Sequence, residues 1–214
     1  MASKTDSRRV ALTFSLLLLI FATLIPQPVS AAPRSDARDI PDLTNFISSV
    51  ENGDANIMSG VYISGVFALR AIQQPPYNAD YVSTIDDTLT QFGPAAQYGN
   101  VGLLAHDYLS GQYFSKLTSG EGIYLVYGNG RVETFRITAI YRYQATDPFS
   151  TRSNFIDLDT DEYLTANQLF VKVYTGSRHV TFQTCTAHNG DSSWGRLFVI
   201  AEPEISQASI TDWN

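Results

Sequence analysis

Ile123-Tyr124-Leu125-Val126-Tyr127-Gly128-Asn129-Gly130-Arg131 is the stretch on which the fold class turns. A run of strand-forming residues stops at two glycines flanking an asparagine, and a second such run follows from Arg131. Glycine and asparagine tolerate the positive φ that tight hairpin turns demand, so a β-hairpin is predicted here. Similar short runs occur at Val61 to Leu69, Val132 to Tyr143, Val180 to Cys185 and Leu197 to Ala201, punctuated by Gly, Pro, Asn and Asp. That is the pattern of an antiparallel barrel or sandwich. No fixed-period repeat is present, which excludes a solenoid.

One helix interrupts the strands. Ala166, Leu169, Phe170, Val173 and Tyr174 recur at the i, i+3, i+4, i+7, i+8 spacing of a single helix face. Thr165 and Gln168 form a capping box and Gly176 a stop. The helix leads directly into the run Val180 to Cys185.

At the N-terminus, Lys4, Arg8 and Arg9 precede the apolar run Val10 to Ile25, followed by Pro26, Pro28 and Val29-Ser30-Ala31. This order predicts a secretory signal over residues 1–31, cut after Ala31. The apolar run is shorter than the roughly 20 residues a spanning helix needs, although an uncut signal would act as a membrane anchor. Residues 32–58 are polar and read as a linker with a short helix near Asn45 to Val50. Residues 59–203 form one folded domain with a core starting near Val61, and residues 204–214 form a tail. The signal holds three of the 14 basic residues and one of the 21 acidic ones, leaving 11 against 20 and a net charge of −9. Such a surface does not attract nucleic acid.

Cys185 is the only cysteine, so an exported domain cannot pair it internally. Side chains alternate along a strand, which places Val180, Phe182 and Thr184 on an inward face and Thr181, Gln183 and Cys185 on a polar one. A thiol on a polar face reads as reactive rather than as a small buried hydrophobe. Its activation calls for a histidine or arginine. His179 lies six residues back, about 20 Å along a straight strand, too far to be the partner. His188 falls in the turn Ala187-His188-Asn189-Gly190 and reads as a loop residue. His106 ends the apolar run Val101-Gly-Leu-Leu-Ala105 where a polar loop begins, the place where sheets present functional side chains.

The segments Gly102-Leu-Leu-Ala-His106, Gly111-Gln-Tyr-Phe114, Thr181-Phe-Gln-Thr-Cys185 and Arg196-Leu-Phe-Val-Ile-Ala201 resemble the signature segments of the sortases, cysteine transpeptidases of the Gram-positive type of cell surface. They occur in the family's order from about Val61 to Glu202, and the exported housekeeping and class E or D types are the ones resembled. Phe182 stands where the family usually has leucine, and the glycine often found before the histidine is Ala105. Neither departure removes a reacting group.

The resemblance implies a mainly β fold: a closed barrel of about eight strands with a few short helices, one of them before the cysteine strand. It implies Cys185 as nucleophile, His106 as general acid/base and Arg196 as the group that binds substrate and stabilises the oxyanion. Thr184, Ala105 and Trp194 become candidate substrate contacts, Trp194 as a cleft wall. The implied partners are an LPXTG-like sorting-signal peptide and an amine acceptor from a cell-wall precursor or a pilin lysine, handled by a monomer at the cell surface. The run Asp157-Leu-Asp-Thr-Asp161-Glu162 suggests calcium, but its sixth position is Glu162 rather than glycine and its twelfth is Gln168 rather than glutamate. An EF-hand is therefore unsupported, and no cofactor or metal is expected. Two other functions would use the same chain: a non-catalytic adaptor that keeps the fold, and a cysteine hydrolase in which water resolves the thioester.

Overall fold

The computed structural model describes residues 39–204. The expected signal over residues 1–31 and the tail beyond Glu204 lie outside the described residues. Among the described residues no helix is long and apolar enough to cross a membrane.

The described residues form ten strands: β1 (Met58–Ile63), β2 (Phe67–Gln73), β3 (Thr88–Phe92), β4 (Val101–Leu104), β5 (Gly122–Tyr127), β6 (Val132–Ala145), β7 (Phe155–Asp157), β8 (Tyr163–Leu164), β9 (Val180–His188) and β10 (Asp191–Pro203). They are joined in the order β10-β9-β4-β3-β2-β1-β5-β6-β7-β8, and β10 also pairs with β6. That extra pairing closes eight strands into a barrel and leaves β7 and β8 as an annex beside β6. The helices are short: α1 (Leu43–Val50), α2 (Gly93–Ala96), a 3-10 helix (Ser110–Lys116) and α3 (Ala166–Tyr174). A mainly β, closed, eight-stranded barrel with a helix before the cysteine strand is the expected architecture.

The Gly128-Asn129-Gly130 hairpin joins β5 to β6, with Gly130 at φ 79°. The run from Val61 to Leu69 is two strands rather than one, because Gly65 at φ 71° turns the chain between β1 and β2. The barrel is also not wholly antiparallel. β2 pairs parallel with β3 and β4 parallel with β9. Parallel neighbours need a long connection, supplied by residues 74–87 in one case and 105–179 in the other.

The inward faces meet in a core that includes Phe67, Leu69, Leu103, Phe114, Phe182 and Val199. A second apolar layer lies outside the wall of β4, β9, β10 and β6, where α3 packs Leu169, Val173 and Tyr174 against Tyr143, Phe155 and Phe198. The capping box of α3 is formed by Thr165 and Gln168 as predicted. Lys172 of α3 reaches Asp157 of β7 at 3.6 Å. Burial pushes the Asp157 carboxyl up, but the N–H groups of Asp159 and Thr160, with Lys172 and the Tyr143 hydroxyl, outweigh it and hold the carboxyl below its ordinary range.

Within the stretch read as a polar linker, residues 43–50 form α1, capped by Asp42, whose side chain accepts from the Asn45 N–H. Phe46 and Val50 are buried with Tyr62 of β1 and Val126 of β5. Gly60 is required there: a Cβ would come within 2.6 Å of the Phe46 ring. This segment is thus packed on the barrel. Phe46→Ala is expected to lower unfolding stability by about 3 kcal/mol in a denaturant titration; a change of less than about 0.5 kcal/mol would be the behaviour of a surface residue and would contradict this packing.

Candidate active site

The register of three adjacent strands assembles the site. β4 and β9 run parallel with Leu103 beside Phe182 and Leu104 beside Gln183, and the Ala105 N–H continues the ladder to the Gln183 carbonyl at 3.3 Å. His106 follows Leu104 by two residues, just past the end of β4, and Cys185 follows Gln183 by two within β9. On the other side Cys185 pairs directly with Arg196 of β10. Neighbouring strands lie about 5 Å apart, so Arg196 and Cys185 are direct neighbours across the sheet.

Arg196 reaches its place through an irregularity. Asn189 and Gly190, both at positive φ, make a two-residue turn that pairs His188 with Asp191. Continued regularly, that pairing would set Trp194 opposite Cys185. Instead residues 192–194 stand against Ala187 alone, and pairing resumes with Gly195 opposite Thr186 and Arg196 opposite Cys185. A two-residue bulge therefore exchanges a tryptophan for an arginine beside the thiol. Gly195 lets the bulge close, since a Cβ there would lie 2.5 Å from the Tyr143 carbonyl oxygen. The Arg196 guanidinium donates from Nη1 to the Ser193 and Gly195 carbonyls, at 2.9 and 2.8 Å, and from Nη2 toward the Pro148 carbonyl at 3.5 Å.

His106, Cys185 and Arg196 line one cleft of about 630 Å³. Its far end is apolar, walled by Phe92, Leu104, Phe155, Leu169, Phe170 and Val173. The mouth is formed by Tyr77 and Asp80 from the connection after β2, and by Ser150 to Arg152 from the connection after β6. These mouth residues had no signal in the sequence, because nothing local ties either connection to the cysteine strand.

The supposed polar face of β9 does not open to solvent along its length. Thr181 is fully buried and donates to the Val173 carbonyl of α3, while the Tyr174 hydroxyl donates to Gln183 Oε1, both at 2.5 Å. Burial raises the Tyr174 hydroxyl far enough that it remains a donor. Of this face, Gln183 and Cys185 line the cleft. Cys185 is half-buried. Burial pushes its thiol up, the positive charge of Arg196 opposes that rise, and the carboxylates of Asp107 and Asp191 add to it.

Thr184 and Ala105 also line the cleft, yet both are buried. Thr184 belongs to the inward set of β9, and its Oγ1 has no hydrogen-bond partner among the described residues. Gly111 presses against that hydroxyl; a Cβ on Gly111 would clash with it and lie 2.6 and 2.8 Å from the His106 and Ala105 carbonyl oxygens. The Gly111 N–H in turn donates to the His106 carbonyl at 2.9 Å. This close approach shapes the turn that carries His106, whose ring stacks on Tyr108 with centroids 5.1 Å apart.

Trp194, expected to wall the cleft, is not among its lining residues. The bulge turns it to His188, with ring centroids 4.6 Å apart. His188 is exposed on the hairpin. His179 is structural: its Nδ1 meets the Ser177 carbonyl at 2.7 Å and its Nε2 the Val173 carbonyl at 2.9 Å. No group of three or more His, Cys, Asp or Glu among the described residues could hold a metal ion.

No protein-family model matches this sequence, and no curated protein matches it. Solved structures similar to the chain include sortase C-1 from Actinomyces oris, 13% identical, covering 92% of this chain and 99% of that one with a TM-score of 0.46. Sortase A from Corynebacterium diphtheriae is 12% identical over 72% of this chain and 63% of that one, TM-score 0.46. Sortase E1 from Streptomyces coelicolor, solved with a tripeptide in the active site, is 16% identical over 69% and 88%, TM-score 0.43.

Two outcomes are expected. The alkylation rate of Cys185 by iodoacetamide should keep rising above the ordinary thiol midpoint of about pH 8.5; a midpoint below that value would contradict the dominance of burial. Gly111→Ala should cost about 2 kcal/mol in a denaturant titration. Adding Thr184→Ala should restore only part of that loss, because the two carbonyl contacts remain.

Proposed function

We propose that this chain is a sortase-type cysteine transpeptidase acting on an extended sorting-signal peptide of the LPXTG kind. The observation that carries the proposal is that His106, Cys185 and Arg196 line one cleft, with Arg196 paired directly opposite Cys185. These are the three residues that the sequence resemblance assigns to the reaction.

The chemistry follows from the groups. Cys185 Sγ, deprotonated as it attacks, bonds to the carbonyl carbon of the scissile amide. Arg196, charged at any working pH and donating in a fixed fork, stabilises the oxyanion. The carbon–nitrogen bond breaks as the protonated His106 imidazole gives its proton to the leaving amine, and the acyl group stays on sulfur as a thioester. An incoming amine from a cell-wall precursor or a pilin lysine then attacks the thioester carbonyl, loses a proton to His106 and displaces the Cys185 thiolate, which restores the thiolate and protonated imidazole of the start. The apolar end of the cleft under α3 supports binding of a large aliphatic side chain of the peptide. On this reading residues 1–31 direct export, and the barrel works at the cell surface as a monomer.

The test is to incubate the exported domain with Leu-Pro-x-Thr-Gly peptides and an amine, following intact mass. An acyl adduct on Cys185 and an amine-dependent product are expected, both absent in Cys185→Ala. His106→Ala and Arg196→Ala should each lower turnover by about 100-fold or more. A product that is only the free acid, whatever amine is supplied, would make the chain a hydrolase. Absence of any adduct across the peptide set, with Cys185 intact and folded, would leave the adaptor reading.

A further inference from the structure

The His106 ring is held by a face rather than by a hydrogen bond. Among the described residues no hydrogen bond or ion pair reaches the imidazole, and its partner is Tyr108, two residues on. The two rings lie 5.1 Å apart between centroids and 22° from parallel. Core packing does not force this contact, because Tyr108 is 66% exposed. The turn after β4 imposes it instead. The His106 carbonyl accepts from the Leu109 N–H at 3.0 Å and from the Gly111 N–H at 2.9 Å, so the backbone around Tyr108 is tied to His106 itself. Gly111 is buried and has no room for a Cβ, which fixes the far end of the same turn.

We propose that Tyr108 is a positioning residue whose aromatic face holds the His106 imidazole in the plane that proton transfer requires, in place of a hydrogen-bonded partner. A hydrogen bond that orients a histidine occupies one of its ring nitrogens. A face contact occupies neither. His179 shows the opposite arrangement, with Nδ1 against the Ser177 carbonyl and Nε2 against the Val173 carbonyl, and no nitrogen left for chemistry. The proposed reaction asks His106 to give a proton to the leaving amine and later to take one from the incoming amine. A ring aimed by its face does both with no partner to release between the steps. Aim matters because a displacement of about 1 Å in a reacting group costs rate steeply. Tyr108 is not among the residues lining the cleft, so it acts through His106 rather than on the peptide.

The role of Tyr108 in turnover rests on the acyl-transfer reading above, but its hold on His106 can be measured without any substrate. The experiment is NMR of the folded protein with labelled histidine, the His106 signals being identified by their loss in His106→Ala. Protons over an aromatic face are shielded, so Tyr108→Leu should move the His106 ring signals downfield and raise the ring's mobility in relaxation measurements. Tyr108→Phe keeps the face and should keep the wild-type signals. The His179 and His188 signals should stay in place in both variants, which separates loss of the stack from a general loosening. In peptide transfer, Tyr108→Leu should lower kcat about tenfold with KM nearly constant, and Tyr108→Phe should restore it. If Tyr108→Leu fails to fold, Tyr108→Gln, which also lacks the ring, carries the same comparison. Unmoved His106 signals in the ringless variant, or moved signals with wild-type kcat, overturn the proposal and leave acyl transfer standing. Moved signals and a more mobile ring in a protein that forms no acyl adduct uphold the hold on His106 and remove the transpeptidase reading instead.

Discussion

The register of β9 is the constraint on which the rest depends. On one side it is set by parallel pairing with β4, a strand that precedes it by more than seventy residues; on the other, by a hairpin that is irregular by two residues. The parallel contact is non-local and requires closure of a long loop before any hydrogen bond rewards it. The hairpin is local and cheap to close. A slip of one residue in either pairing would put every affected side chain on the opposite face of the sheet. The strand that leads to His106 and the strand that carries Arg196 are therefore set against the cysteine strand by two independent registers.

The second layer under α3 explains why only one end of the cysteine strand is available for chemistry. Thr181 and Gln183 point away from the barrel interior, yet α3 covers them and satisfies both through Val173 and Tyr174. The ion pair of Lys172 with Asp157 ties the same helix to the annex of β7 and β8. Lys172 also lies over the faces of Tyr141 and Tyr143, 5.1 and 5.5 Å from the ring centroids, where a cation gains from the ring quadrupole. The helix thus covers the outer apolar layer and walls the cleft, so the packing that stabilises the fold also shapes the cleft.

What the sequence made legible was local. The Gly128-Asn129-Gly130 hairpin and the Thr165-capped helix declare themselves within a dozen residues, because turn sterics and capping bonds involve near neighbours. The alternation from Val180 to Cys185 correctly separated the core-facing residues. It could not show that a helix would cover the opposite face, since that depends on where a distant segment packs. The parallel pairs, the closure of β10 on β6 and the mouth residues Tyr77 and Asp80 were hidden for the same reason. Trp194 shows the limit most sharply. Its position next to Gly195 and Arg196 suggested a cleft wall, but a bulge that no residue type announces turned it toward His188. In residues 43–50 the short helix was legible, but the polar surrounding composition masked the packing by which Phe46 and Val50 fasten α1 to the barrel.

The seat of Arg196 is built from the main-chain oxygens of Ser193, Gly195 and Pro148 rather than from carboxylates. Main-chain oxygens survive most substitutions, so the side chains of the hairpin tip and of the connection after β6 can diverge while the arginine keeps its aim. Neutral acceptors also leave its positive charge uncancelled. Sequence drift in these two segments can then reshape the cleft without disarming the charge held beside the thiol.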